Sequence, residues 1–147
     1  MRVISWRALT RAHTLVWKAL ERALEDHADL PLLSYEVLAH LSEAEGERMR
    51  MQDVAAALPL TRSGLTRLVD RLERVGLVRR ESCDVDRRGT YAVLTPTGRV
   101  VLERAQAVHV RVLEEHLVAR LSGDELAVLR AACSRIAGLP EASRART

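Results

Sequence analysis

Ser63, Thr66 and Arg67 stand three and four residues apart, so a helix through them sets two hydroxyls and a guanidinium on one face. That is donor chemistry for base edges: arginine pairs bidentately with guanine, and hydroxyls bond to bases or phosphates. Arg62 and Arg71 flank the face and suit phosphates, which position a protein on DNA without specifying sequence. A second cluster follows at Asp86-Arg87-Arg88-Gly89, two adjacent guanidiniums at a glycine-assisted chain reversal. Asp86 can brace the guanidinium of Arg88, and a preset arginine suits a narrow, strongly negative minor groove. Both clusters also have plainer readings. The helix could be an ordinary solvated one with Asp70 and Arg74 as an i,i+4 pair, and the hairpin could serve solubility. Catalytic chemistry is not signalled. We find no Ser/His/Asp arrangement, phosphate-cradling glycine loop or metal-ligand cluster, so neither an enzyme nor a cofactor is expected.

The charge is placed to match. Residues 61–99 hold nine arginines against five acids, a local excess of four, which leaves the rest of a +3 chain slightly acidic. A nucleic-acid footprint requires such concentration. Lys18 is the only lysine, and the forked arginine side chain suits phosphates and guanine edges better than lysine does. No apolar run reaches the length of a membrane span and no secretory pattern opens the chain. Cys83 and Cys133 form neither a metal-ligand spacing nor a disulfide scaffold, so a reduced, cytoplasmic protein is expected.

The positioning elements can be read from periodicity and caps. With aromatics at 3% and no Phe, the core must be Leu, Val and Ala, which favours helices. Trp6, Leu9, His13, Val16, Leu20 and Leu24 trace one stripe of a first helix from about Ser5 to His27. Ser34 offers an N-cap for a second helix to about Glu43, followed by a polar loop, Ala44 to Arg48. A short helix over Gln52–Leu58, a turn at Pro59-Leu60-Thr61 and a helix from Thr61 to about Val75 have helix-turn-helix spacing. In that last helix Leu65, Leu68, Val69, Leu72 and Val75 face inward, and Gly76 stops it. Strands near Leu77–Glu81 and Thr90–Leu94 make the hairpin. Thr95-Pro96 starts a long helix to about Arg120, and Ser122 with Glu125 forms a capping box for a last one packing Leu126, Leu129, Cys133 and Ile136.

Taken together, Ser63-Gly64-Leu65-Thr66-Arg67-Leu68-Val69-Asp70-Arg71-Leu72-Glu73, Gly76-Leu77-Val78-Arg79-Arg80, Asp86-Arg87-Arg88 and Leu94-Thr95-Pro96-Thr97-Gly98 have a specific order and spacing. The chain resembles the MarR family of winged helix-turn-helix regulators over essentially its whole length. The resemblance implies a mainly α fold with a small β-hairpin wing, in one domain over about 1–140 followed by a disordered 141–147 tail. It implies a DNA-binding lobe over about 34–95 and a homodimer joined by helices at about 5–28 and 96–138. The 61–75 helix would enter the major groove and Asp86 with Arg88 the minor groove. One departure is Pro59, where glycine is frequent in such turns; proline cannot supply a positive φ, so another backbone route is required.

An isologous dimer would cover the apolar stripes of the first, fifth and last helices, and would read an inverted repeat on double-stranded DNA with half-sites roughly 10 bp apart. In the family, an effector pocket for phenolic or other aromatic anions lies where these helices meet the interface. His13, Trp17, His40 and His109 are the candidates to line it, the alternative being hydrogen-bonded interfacial residues with no ligand. His109 and His116 lack companion ligands for a metal, and Cys83 is read as a bystander. The leading expectation is therefore a ligand-responsive repressor. The competing one is an architectural or interaction protein that uses the winged fold without an effector.

Overall fold

A computed structural model of the chain describes residues 1–82 and 89–138 of the 147. The expected wing-tip residues Asp86, Arg87 and Arg88, together with Cys83 and the 141–147 tail, lie outside the described residues.

In chain order the elements are α1 (Arg2–Ala28), α2 (Leu32–Glu43), a 3₁₀ turn (Glu45–Glu47), β1 (Arg48–Arg50), α3 (Met51–Ala57) and α4 (Arg62–Arg74). Then come β2 (Val78–Ser82), β3 (Thr90–Leu94), α5 (Pro96–His116), a 3₁₀ turn (Val118–Arg120) and α6 (Gly123–Ala137). The strands form an antiparallel sheet in the order β1-β3-β2, with Arg50 opposite Tyr91 and Arg80 opposite Ala92. Aliphatic side chains fill the core, among them Leu24, Val37, Leu38, Leu41, Val54, Leu65 and Val69, as the shortage of aromatics requires. The mainly helical winged fold is as the sequence implies.

Several local expectations change. Ser34 is not a cap. Pro31 precedes the first turn of α2, its carbonyl accepts from the Ser34 and Tyr35 amides, and Ser34 itself is buried. Strand β1 starts at Arg48, the last residue of the expected loop, so the wing sheet has three strands rather than two. Val75 is 64% exposed because α4 ends at Arg74 and the helical period no longer applies to it. Helix α5 stops at His116 where Leu117 leaves helical geometry, well before Arg120. The Pro59 turn takes its other route through a 2.7 Å hydrogen bond from the Leu60 amide to the Leu58 carbonyl. This i→i+2 turn is centred on proline, whose fixed φ is close to that of the inverse γ form.

The end of α4, the start of β2 and the start of α5 meet at one junction. Gly76, at φ 76°, reverses the chain after α4 and lets the Leu77 amide donate to the Leu72 carbonyl at 2.9 Å. Thr95 Oγ1 donates to the carbonyls of Gly76 (2.6 Å) and Leu77 (3.0 Å) and accepts from the Gly98 amide (2.9 Å) as the cap of α5. Gly98 is buried so tightly here that a Cβ would collide with the Leu77 carbonyl oxygen. Backbone cannot yield as a side-chain tip can. Gly98→Ala should therefore cost roughly 1–3 kcal/mol, as overpacking does, despite the better helix propensity of alanine. Denaturant unfolding at fixed protein concentration checks it, and a change under about 0.5 kcal/mol would contradict the close packing.

Candidate nucleic-acid interface

Helix α4 begins on a side-chain cap, with Thr61 Oγ1 accepting from the Gly64 amide at 3.1 Å and lying 3.2 Å from Ser63 Oγ. Leu65, Leu68, Val69 and Leu72 bury one face, and their three- and four-residue spacing forces the other outward. Arg62, Ser63, Thr66, Arg67 and Arg71 all lie exposed on that outward side. Thr66 Oγ1 donates to the Arg62 carbonyl at 2.9 Å, so its lone pairs remain to accept from a partner. Arg67 Nε reaches the Ser63 carbonyl at 3.4 Å, which draws its guanidinium along the helix toward the cap.

Asp70 does not pair with Arg74 as the i,i+4 spacing suggests. It binds Arg80 of β2 at 2.7 Å, and Glu73 binds the same guanidinium at 2.7 Å while accepting from the Arg80 amide at 3.0 Å. Arg80 Nη2 also lies 3.4 Å from the Thr66 carbonyl. Burial alone would lower the Arg80 pKa, but the hydrogen bonds and charges of Asp70 and Glu73 outweigh it and hold the group above its ordinary range. This bracket fastens α4 to the wing sheet. The role of Arg80 was hidden because its partners lie on another element, although the residue closes one of the quoted motifs. On the outer face of the sheet, Arg48 and Arg50 stand 5.0 and 5.8 Å from the Tyr91 ring centroid, and Glu81 pairs with Arg48 (3.7 Å) and Arg79.

The four candidate effector residues divide between two places. The His13 and Trp17 rings lie tilted with centroids 5.5 Å apart and, with Lys18 and Pro59, line a shallow groove of about 200 Å³ between α1 and the helix-turn-helix turn. His40 and His109 flank Glu36 between α2 and α5. His109 stacks on Tyr35 at 4.5 Å, and its Nε2 is 4.0 Å from the Glu36 carboxylate. Burial holds the His109 imidazole below its ordinary value and the Glu36 carboxyl above its own; His40 opposes the latter shift and Glu43 adds to it. Tyr35 is pushed up to about 12 by burial and by the charges of Glu36 and Glu43.

Residues 28–89 match the sequence pattern of the MarR family. The chain is also 32% identical to the transcriptional regulator HosA of Escherichia coli over 120 residues, which is 81% of this chain and 82% of that one. The chain belongs to the MarR family. A MarR family transcriptional regulator from Streptomyces coelicolor, solved in complex with DNA, superposes with a TM-score of 0.84 and 36% identity, over 91% of this chain and 87% of that one. CouR from Rhodococcus jostii, solved with p-coumaroyl-CoA bound, matches with a TM-score of 0.77 and 28% identity, over 88% of each chain. As a MarR family member the chain is a winged helix-turn-helix transcriptional regulator. Among the described residues no helix is long and apolar enough to cross a membrane.

A pH response follows from the His109 contact. A histidine whose native pKa lies below its unfolded value binds fewer protons when folded, so its contribution is complete above about pH 6.5 and is lost as pH falls toward the native pKa. His109→Gln should lose less stability than the parent between pH 7 and pH 5.5. Parallel unfolding titrations of the two proteins check this, and identical losses would contradict a downward shift of the half-buried His109 imidazole.

Proposed function

We propose that the chain is a sequence-specific repressor that binds double-stranded DNA as a homodimer and is released by a small aromatic or phenolic effector. The exposed α4 face carries the reading: two hydroxyls and Arg67 at the capped end of a helix whose opposite face is wholly buried. Ser63, Thr66 and Arg67 read bases, Arg62 and Arg71 hold phosphates, and Asp86, Arg87 and Arg88 form the minor-groove wing. The DNA-bound Streptomyces relative supports the first part, and the p-coumaroyl-CoA complex of CouR supports the effector. Either His13 with Trp17 or His40 with His109 lines the effector site. The protein acts in the cytoplasm, as one MarR unit over 1–140, and is not an enzyme.

The terminal helices support the dimer. Trp6 is 64% and Ile136 75% exposed, no residue of α6 is buried, and Leu9, Val16, Leu117, Leu121 and Leu129 line an apolar groove of about 910 Å³. A second copy related by a two-fold axis would cover these faces, and its α4 would meet the next major groove about 10 bp away. A duplex with one half-site scrambled should then bind at least tenfold more weakly. Arg67→Ala should lose discrimination at one base pair, by about 1–3 kcal/mol. Binding of scanned duplexes by anisotropy reads both. Equal affinity for the scrambled duplex would contradict the dimer, and uniform weakening across all sequences would assign Arg67 to the backbone.

A further inference from the structure

The Arg80 side chain holds α4 at more than one point. Its guanidinium binds Asp70 and Glu73, each at 2.7 Å, and lies 3.4 Å from the Thr66 carbonyl, while its amide donates to Glu73 at 3.0 Å. Thr66 and Glu73 are seven residues apart, which is roughly 10 Å along a helix. One side chain of β2 therefore grips about two turns of α4, and a grip of that length resists tilt as well as sliding. Helix α4 needs the cation for its own sake too. Asp70 and Glu73 stand three residues apart on one side of the helix, where like charges repel unless a cation lies between them.

The place of this grip gives it a consequence. The chain joins α4 to β2 through the Gly76 turn, at the end of the helix away from Ser63, Thr66 and Arg67. Leu68, Val69 and Leu72 hold α4 on the core, but apolar burial is non-directional, whereas a forked guanidinium on two carboxylates has a fixed geometry. On the strand side, Arg80 pairs opposite the fully buried Ala92 and stands two residues before Ser82, which pairs with Thr90 at the root of the wing. Arg80 thus stands between the two parts assigned to DNA reading, with its guanidinium turned to α4. We infer that Arg80 is a positioning residue for spacing: it fixes the distance between the bases read by α4 and the minor-groove tract read by the wing, so that the protein rejects DNA in which the two are displaced. The inference rests on the DNA-reading assignment above and gives a part in specificity to a residue that contacts no base.

A duplex selected by the protein from a random double-stranded pool supplies the probe, its preferred positions separating into cores and flanking tracts. One base pair is then inserted between core and tract in both half-sites, leaving the distance between the cores unchanged. Anisotropy compares the two duplexes for the parent, for Arg80→Lys, and for Asp70→Ala combined with Glu73→Ala. Arg80→Lys keeps the charge but loses the fork that spans both carboxylates. The α4 double variant cuts the same grip from the other side and makes the surface more positive. The parent should bind the inserted duplex about tenfold more weakly, the scale of one mismatched base pair. Both variants should bring that ratio below about threefold, whatever each does to affinity for the selected duplex. A merely structural or electrostatic role would rescale both duplexes together, so a parental ratio in either folded variant overturns the inference. A parent that binds both duplexes equally, or a selection with cores but no flanking preference, also overturns it. Should Arg80→Lys fail to fold, the α4 double variant decides alone. A selection that returns no preferred duplex overturns the DNA-reading assignment, and this inference with it.

Discussion

A single threonine hydroxyl sits where three mechanical parts of this protein meet. Thr95 Oγ1 bonds the carbonyls that follow the recognition helix and caps the long helix α5, while Gly98 allows that helix to lie directly on the Leu77 carbonyl. The Arg80 bracket closes the same unit from the other side, joining α4 to β2 through two carboxylates. These contacts tie α4, the wing sheet and α5 directly to one another. Under the proposed function, a displacement of α5 would be transmitted through these contacts to α4 and the wing sheet, which is the mechanical condition for a regulator whose signal arrives far from its bases.

The same chain leaves its ends unfinished. Only the C-terminal part of α1 is buried, at Leu20 and Leu24, whereas Val3, Ile4, Trp6 and Leu15 stand exposed. Helix α6 is well capped by Ser122 and Glu125 yet has no fully buried residue. A short helix with good local signals and only partial packing is marginal in water, and a partner surface would stabilise it further. In the proposed dimer that surface is a second copy, and the terminal helices then set the distance between two rigid lobes. An effector acting near His13 or His109 would need only to alter that distance.

Much of this was legible in the sequence where the signals were local. Thr61, Gly76, Thr95-Pro96 and the Ser122–Glu125 box each act within a few residues, and each marks a boundary found in the structure. What escaped depends on partners far along the chain. Strand β1 is three residues long and exists because β3 offers it a ladder, so its own residues carry almost no strand signal. Asp70 was assigned to Arg74 on helix spacing, but the bracket around Arg80 forms across two elements. Ser34 looked like a cap and is instead a small polar residue packed into the core side of α2. Histidines drew attention by type alone, and sequence could not tell that His109 would stack on Tyr35 while His13 faced a different groove.

Hydroxyl-radical footprinting of the parent protein on a selected duplex tests the central claim most directly. A rigid unit presenting α4 and the wing to adjacent grooves should protect two neighbouring backbone patches, repeated about 10 bp away on the same face of the DNA. A single protected patch, or a repeat on the opposite face, would contradict the account.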